Sequence, residues 1–197
     1  MDELNRRLGA HLRNLRQQRG WSLDIAAGHC QVSKAMLGQI ERGESSPTVV
    51  TLWRIAAGFR VTFSALFGEV TVEPEVSLWW LGTQTSPQVF ADGVQVSCLL
   101  PYEPRLGYEL LLVALPVGCC YYSVAHEAGA IEQILPISGS MSLWYQDAWH
   151  SLLPEQALRF AADCRHGYRN DGAEIARFHN LIYYAAGRQS NDEVVVP

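Results

Sequence analysis

The hydrophobic spacing of this chain changes once, near residue 70, and that change constrains the fold more than any other feature. Before it, Leu4, Leu8, Leu12 and Leu15 recur at helical spacing, which predicts an amphipathic helix over 3–19 ending at Gly20. Ser22 stands as an N-cap before a second short helix carrying Ile25 and Ala26. Ser33 does the same for a third, with Leu37 and Ile40 on its buried stripe and Arg42-Gly43 at its end. Ser46-Pro47 reads as the N-cap and first position of a fourth helix through Leu52, Ile55 and Ala56. A last short turn, Phe63 to Phe67, closes a set of five short helices able to share one small core.

From Val76 onward the pattern is β. Short runs rich in Val, Leu, Trp and Tyr at 76–81, 94–100, 108–115, 119–124, 130–137 and 140–145 are separated by Gly, Pro, Asp or Ser, and further runs follow at 157–161 and 173–184. Many evenly spaced short strands predict an all-β sandwich or barrel, and about 120 residues suffice to enclose a pocket. The expected fold class is α+β in two domains: a helical domain at 1–68, a linker at 69–76 and a β domain at 77–197. The stretch Gly68-Glu69-Val70-Thr71-Val72-Glu73-Pro74-Glu75, with three acids, a proline and no helical period, marks the linker.

Charge divides at the same place. Residues 1–70 hold nine Lys/Arg against six Asp/Glu, a net +3, whereas residues 71–197 hold six against fourteen, a net −8. A basic head on an acidic body predicts that only the head meets a polyanion. The five cysteines (30, 98, 119, 120 and 164) are odd in number and lack CxxC spacing, which argues against a disulfide framework or a cysteine zinc cluster and for a reducing cytoplasm. No apolar run approaches the length of a membrane span and no basic-then-apolar leader opens the chain, so membrane and secreted readings are disfavoured.

The head carries a resemblance. Leu12-Arg13-Asn14-Leu15-Arg16, Trp21-Ser22-Leu23, Ala27, Val32-Ser33-Lys34, Ile40-Glu41-Arg42-Gly43 and Ser46-Pro47-Thr48 resemble the lambda-repressor/Cro (XRE-like) helix-turn-helix family, without gaps over about residues 6–67. The resemblance implies that the third helix enters the major groove of double-stranded DNA. Ser33, Lys34, Ala35, Gly38 and Gln39 would face the operator and Leu37 and Ile40 the core. Gln39 offers paired donor and acceptor groups to an adenine edge, and Lys34 reaches guanine or phosphate. Gly38, lacking a side chain, is expected to permit close approach. Arg42 and the helix-terminal amides near Ser22 and Thr48 suit phosphates. Arg16 and Glu41 match the family's internal salt bridge. Gln31 and Arg60 stand where the family has glycine, and a left-handed backbone there would cost each on the order of 1 kcal/mol. Leu23 replaces a glutamine that the family often uses on phosphate.

The stretch from Gly118 to Asn170 resembles the cupin jelly roll, a double-sheet fold. Glu132 and Gly139 match the glutamate and glycine of the family's first motif. Its two histidines fall on His126 and Ala128 or on Ala125 and Glu127, depending on spacer length, so one histidine survives and Glu127 is open as a substitute for the other. In the second motif Glu155, Ala161 and Asp163 replace Gly, Pro and Gly, while His166 and Asn170 stay in register. Neighbouring strands can point His126, Glu132 and His166 inward together. Two imidazoles and a carboxylate leave a divalent metal an open position, with zinc first and iron or manganese as alternatives; the other reading is a pocket for water or a purely organic ligand. Glu127 and Asn170 are candidate effector contacts. Cys119-Cys120 are expected as packed thiols, His179 as a strand residue with the pocket as its alternative, and Trp144, Tyr145 and Trp79-Trp80 as core.

These expectations combine into a cytoplasmic, non-enzymatic transcription regulator. It would act as a homodimer that reads half-sites about one helical turn apart, with a cupin that senses a small, amino-acid-like effector. A cupin dioxygenase or isomerase with the head as tether is the alternative, and the damaged histidine pair counts against it. A third reading is a constitutive repressor whose β domain only dimerises.

Overall fold

The computed structural model describes residues 3–68 and 87–185. The linker at 69–76, the first expected strand at 76–81 and Trp79-Trp80 lie outside the described residues. Among those described, helices α1 (Glu3–Gln18), α2 (Leu23–Cys30), α3 (Lys34–Glu41) and α4 (Val49–Phe59) are followed by a 3-10 turn at Ser64–Phe67. The expected fifth helix is therefore this 3-10 turn, four residues long and held by i→i+3 bonds such as Leu66 N–H to the Phe63 carbonyl at 3.2 Å. None of the four helices is long and apolar enough to cross a membrane.

Local chemistry sets the boundaries. Ser22 and Ser33 cap α2 and α3 as expected, their Oγ atoms accepting the amides of Ile25 (3.2 Å) and Met36 (3.1 Å). For α4 the cap is Thr48 rather than Ser46: its extended backbone and its Oγ1, which accepts the Thr51 amide at 3.2 Å, start the helix two residues later. Gln31 and Arg60 both end their helices in the left-handed conformation, at φ 52° and 51°, so the expected strain is present at both positions. Gly9 marks the crossing of α1 over α3, where a Cβ would come within 2.3 Å of the Ile40 carbonyl oxygen.

The β part comprises β1 (Gln88–Val89), β2 (Gln95–Glu103), β3 (Tyr108–Leu115), β4 (Cys120–Ser123), β5 (Ile131–Ser138), β6 (Met141–Tyr145), β7 (Ala148–Leu152), β8 (Leu158–Ala161), β9 (His166–Arg169) and β10 (Ala176–Tyr183). They form a six-stranded sheet, ordered β1-β2-β3-β10-β5-β8, and a four-stranded sheet, ordered β4-β9-β6-β7, with antiparallel pairing throughout. Strands β1, β7 and β9 lie outside the expected runs, because none of them presents a run of apolar residues. Period-2 alternation fills the space between the sheets: Phe178 and Ile182 of β10, Leu111, Val113 and Leu115 of β3, Leu143 of β6 and Tyr168 of β9 are all buried. Trp144, expected in the core, lies half-buried against Tyr122 and under the Arg165 guanidinium, because its neighbours Leu143 and Tyr145 take the inward positions.

The helical and β parts share one apolar cluster, which runs from Leu12 and Leu37 through Trp53, Phe63 and Phe90 to Phe178. Polar bonds fasten the joint. The buried Glu109 carboxylate accepts the amides of Phe63 (3.1 Å) and Ser64 (2.9 Å) and the hydroxyl of Tyr184. Asp92 Oδ2 accepts the first amide of α4, Val49, at 3.3 Å, and Ala91 N–H donates to the Pro47 carbonyl at 3.3 Å.

Candidate functional site

Two surfaces carry chemistry, one on α3 and one inside the sandwich. On α3, Ser33, Lys34, Ala35, Met36 and Gln39 are exposed while Leu37, Gly38 and Ile40 are buried. Gly38 therefore does not face open solvent: a Cβ there would stand 3.2 Å from Arg42 Nη1 and 3.8 Å from Leu23 Cδ1. Its lack of a side chain makes room for the Arg42 side chain and Leu23. Met36, 41% exposed, joins the polar residues on this face, and an apolar side chain there suits a thymine methyl group.

Two basic groups of the recognition region are paired in the free protein. Lys34 Nζ meets Asp24 Oδ2 at 2.7 Å and Arg42 Nη2 meets Glu44 Oε2 at 2.7 Å, all four exposed. Exposed pairs of this kind contribute at most about 1 kcal/mol and are readily exchanged for a phosphate. Arg16, by contrast, forks onto Glu41 at 2.7 and 2.8 Å and also donates to the Trp21 carbonyl at 2.9 Å; this pair is structural, as the resemblance implies. Between α1 and α3 lies a surface cleft of about 420 Å³ lined by Arg6, Arg13, Asn14, Gln17, Arg42 and the Arg16-paired Glu41. Its arginines extend the basic surface beyond α3. The amide beside Thr48 needs a correction: Asp92 already occupies it, and a phosphate there would meet that negative charge.

The second surface is the cluster of His126, Glu132 and His166, whose ligand atoms all lie within 4.8 Å of one another. Glu132 is the second residue of β5, His166 opens β9, and His126 sits in the loop after β4, its amide bonded to the Ala162 carbonyl at 2.9 Å. His126 Nε2 is 2.5 Å from Glu132 Oε1, and His166 Nε2 is 3.5 Å from the same oxygen. Their side chains are 5%, 1% and 0% exposed.

Two further residues complete the site. Tyr168 donates its hydroxyl to Glu132 Oε2, and Asn180 Nδ2 donates to that oxygen at 3.0 Å. Oε2 is thus held from behind while Oε1 faces the histidines. Both residues had a readable signal: Tyr168 follows His166 at the period-2 spacing of one strand face, and Asn180 is the polar member of the inward series Ala176, Phe178, Asn180, Ile182.

His166 Nδ1 lies 2.9 Å from the Cys164 carbonyl. A carbonyl only accepts, so Nδ1 carries a proton, and in the neutral imidazole the Nε2 lone pair points into the cluster. That nitrogen is buried and has no hydrogen-bond partner among the described residues. Burial by itself opposes ionisation of Glu132, but the His166 and His126 imidazoles beside it hold its carboxyl below the ordinary range. Burial likewise disfavours the charged form of His166, yet the Glu132 carboxylate and the Cys164 carbonyl outweigh it and raise the imidazole above its ordinary value. A donor set of two imidazoles and one oriented carboxylate, with a buried imidazole nitrogen that makes no hydrogen bond, fits a divalent cation.

The remaining candidates separate from this cluster. Asn170 is fully buried and spent on backbone: Nδ2 donates to the Leu115 and Glu174 carbonyls at 2.9 Å each, and Oδ1 accepts the Gly172 amide at 2.9 Å. It ties the end of β3 to the loop before β10. Glu127 is half-buried in the loop between β4 and β5 and is not one of the three clustered ligands. His179 takes an outward position of β10, opposite Leu112 and Leu135. Cys119 and Cys120 are both free thiols.

The helix-turn-helix domain family HTH_31 matches residues 7–65. The HTH-type transcriptional regulator SutR of Escherichia coli (strain K12) is 42% identical over 187 residues, covering 93% of this chain and 98% of SutR. This chain belongs to the HTH-type transcriptional regulators. The crystal structure of an HTH_3 family transcriptional regulator from Vibrio cholerae superposes with a TM-score of 0.77 at 38% identity, over 92% of this regulator and 97% of that chain. A cupin domain from an XRE family transcriptional regulator of Enterobacter cloacae is 36% identical over 46% of this chain and 96% of that one, with a TM-score of 0.46. The regulator thus combines a helix-turn-helix head that binds DNA with a two-sheet β body, and its histidine–carboxylate cluster lies inside that body.

Proposed function

We propose that this regulator is a cytoplasmic, sequence-specific operator-binding homodimer whose cupin holds a divalent metal and, with it, a small amino-acid-like effector that modulates operator affinity. The observation that carries the reading is the buried Nε2 of His166, which makes no hydrogen bond and stands 3.5 Å from the oriented carboxylate of Glu132. His126, Glu132 and His166 would hold the ion, zinc first and iron or manganese as alternatives. When bound, it supplies a Lewis-acid position for an amine or carboxylate. Tyr168 and Asn180 orient Glu132 through its second oxygen. Glu127, at the rim of the cluster's loop, is the remaining candidate for an effector contact.

On the DNA side, Ser33, Lys34, Ala35, Met36 and Gln39 form the reading face, while Arg42 and the amides near Ser22 meet phosphates. One recognition helix per chain favours a two-fold dimer on paired half-sites. Leu135, Ile137 and Tyr183, exposed at outward positions of β5 and β10, support the six-stranded sheet as the self-complementary surface. The enzyme alternative is the weaker reading, since the relatives are regulators and the cluster is almost wholly covered.

Calorimetric titration of the metal-stripped full-length protein with zinc tests the site. One zinc per chain is expected for the wild type and a loss of at least tenfold in affinity for His166→Ala. Retention of zinc by His166→Ala would place any metal elsewhere. Binding to DNA selected from a random pool on the wild type, with and without zinc and a panel of amino acids, tests modulation. Identical affinities under all conditions would reduce the cupin to a dimerisation scaffold.

A further inference from the structure

We infer that Trp53 makes helix α4 of the DNA-binding head one wall of the cupin's histidine–carboxylate cluster, so that rearranging the cluster displaces α4. The inference rests on the cluster being the regulator's sensing site, and it adds the residue through which the head would read it.

Trp53 lies at the middle of α4 and is 7% exposed. Its ring centroid is 4.5 Å from that of His126, at 47°, and 4.5 Å from that of Phe63 on its other contact. His126 is in turn 2.5 Å from Glu132 and packs its ring against His166 at 5.3 Å. A single layer of side chains therefore separates the head's last helix from the buried carboxylate. Neighbours of Trp53 on the same helix, Leu52 and Ile55, belong to the core that also holds Leu37 and Ile40 of the recognition helix. The start of α4 is fastened to the body as well, through Val49 and Asp92. The helix has no slack at either level.

Ligand distances give the displacement a size and identify the group that yields. Two ligands of one tetrahedral zinc, each about 2.1 Å from the ion, stand about 3.4 Å apart. The His166–Glu132 separation of 3.5 Å already has that value. The His126–Glu132 separation of 2.5 Å is a hydrogen bond, and it must widen by about 0.9 Å for both groups to share an ion. Glu132 is pinned through its other oxygen by Tyr168 and Asn180, whereas His126 sits in a loop. The imidazole yields, and the ring against it is Trp53. Close-packed interiors pass such shifts on rather than absorb them.

Amide hydrogen exchange of the full-length protein tests the link without any knowledge of operator or effector. Glu132→Gln removes the charge that holds His126, and exchange in the α4 peptide 49–59 is expected to change about threefold or more, with α1 as an internal reference. In the Trp53→Phe background the same change at Glu132 should leave that peptide within about 1.5-fold. An unchanged α4 in folded Glu132→Gln, or an equal response in the Trp53→Phe background, overturns the inference. If Glu132→Gln does not fold, His126→Gln takes its place in the same comparison. In a second arm, equimolar zinc should alter α4 exchange in the wild type and not in Trp53→Phe. Zinc that binds without altering α4 overturns the link and leaves the metal reading standing. Zinc that does not bind overturns the metal reading, and the Glu132 arm alone then decides the link.

Discussion

Both carboxylate oxygens of Glu109, on β3, accept backbone amides from the turn that ends the head: Phe63 at 3.1 Å and Ser64 at 2.9 Å. Glu109 is wholly buried and also receives the Tyr184 hydroxyl. Hydrogen bonds to a charged group are each worth about 1.5–3 kcal/mol, and truncation leaves buried donors without an acceptor. Glu109→Ala is expected to cost about 3 kcal/mol, and Glu109→Gln, which keeps one acceptor, about half as much. Urea denaturation followed by circular dichroism measures both; equal midpoints for wild type and Glu109→Ala would remove Glu109 as the clamp of the joint.

The two ends of the pH scale act on the histidine–carboxylate cluster with opposite sign. His166 is raised above its ordinary value, since the Glu132 carboxylate and the Cys164 carbonyl outweigh burial. Its charged form therefore stabilises the metal-free fold fully below about pH 6.5, and that contribution is lost as pH rises through the raised value. Zinc needs the neutral imidazole, so its stabilisation must grow as the proton leaves. Thermal melts in chelator should fall on going from pH 6 to pH 8.5, while the increment added by zinc should rise. Parallel curves with and without zinc would mean that the metal and the proton do not compete for His166.

On the recognition helix, Gln39 and Arg42 divide the work between sequence and phosphate. Gln39→Ala is expected to cost about 1–3 kcal/mol on the preferred DNA and little on random DNA, flattening preference at one base pair. Arg42→Ala should weaken all sequences alike and lower the salt slope of binding by about 1. Fluorescence anisotropy at several salt concentrations separates the two. Indistinguishable behaviour of the variants would show that α3 does not present these residues as its exposed face implies.

Arg60 ends α4 in the left-handed conformation at φ 51°. Glycine there relieves about 1–2 kcal/mol of steric strain at an entropic cost of about 0.5–1 kcal/mol. Arg60→Gly should therefore stabilise the protein by about 0.5–1 kcal/mol and raise the melting midpoint by a few degrees. A lowered midpoint would mean that the Arg60 side chain contributes more than its backbone costs.

The residue spacing determined the four helices and the serine caps on α2 and α3, because these depend on periodicity and short local signals, while the resemblance to two families supplied the Arg16–Glu41 pair and the three clustered residues. Tertiary structure decided the rest. Gly38 reads as an opening toward DNA until the folded turn brings Leu23 and the Arg42 side chain over it. Asn170 keeps its place in a motif, but the loops around it claim all its hydrogen-bonding groups. Tyr168 and Asn180 reach Glu132 from 36 and 48 residues away, and Trp53 reaches His126 from another domain. Such meetings depend on how two sheets and a helix close over one another. Local spacing records which face of an element is apolar, and only packing selects what that face meets.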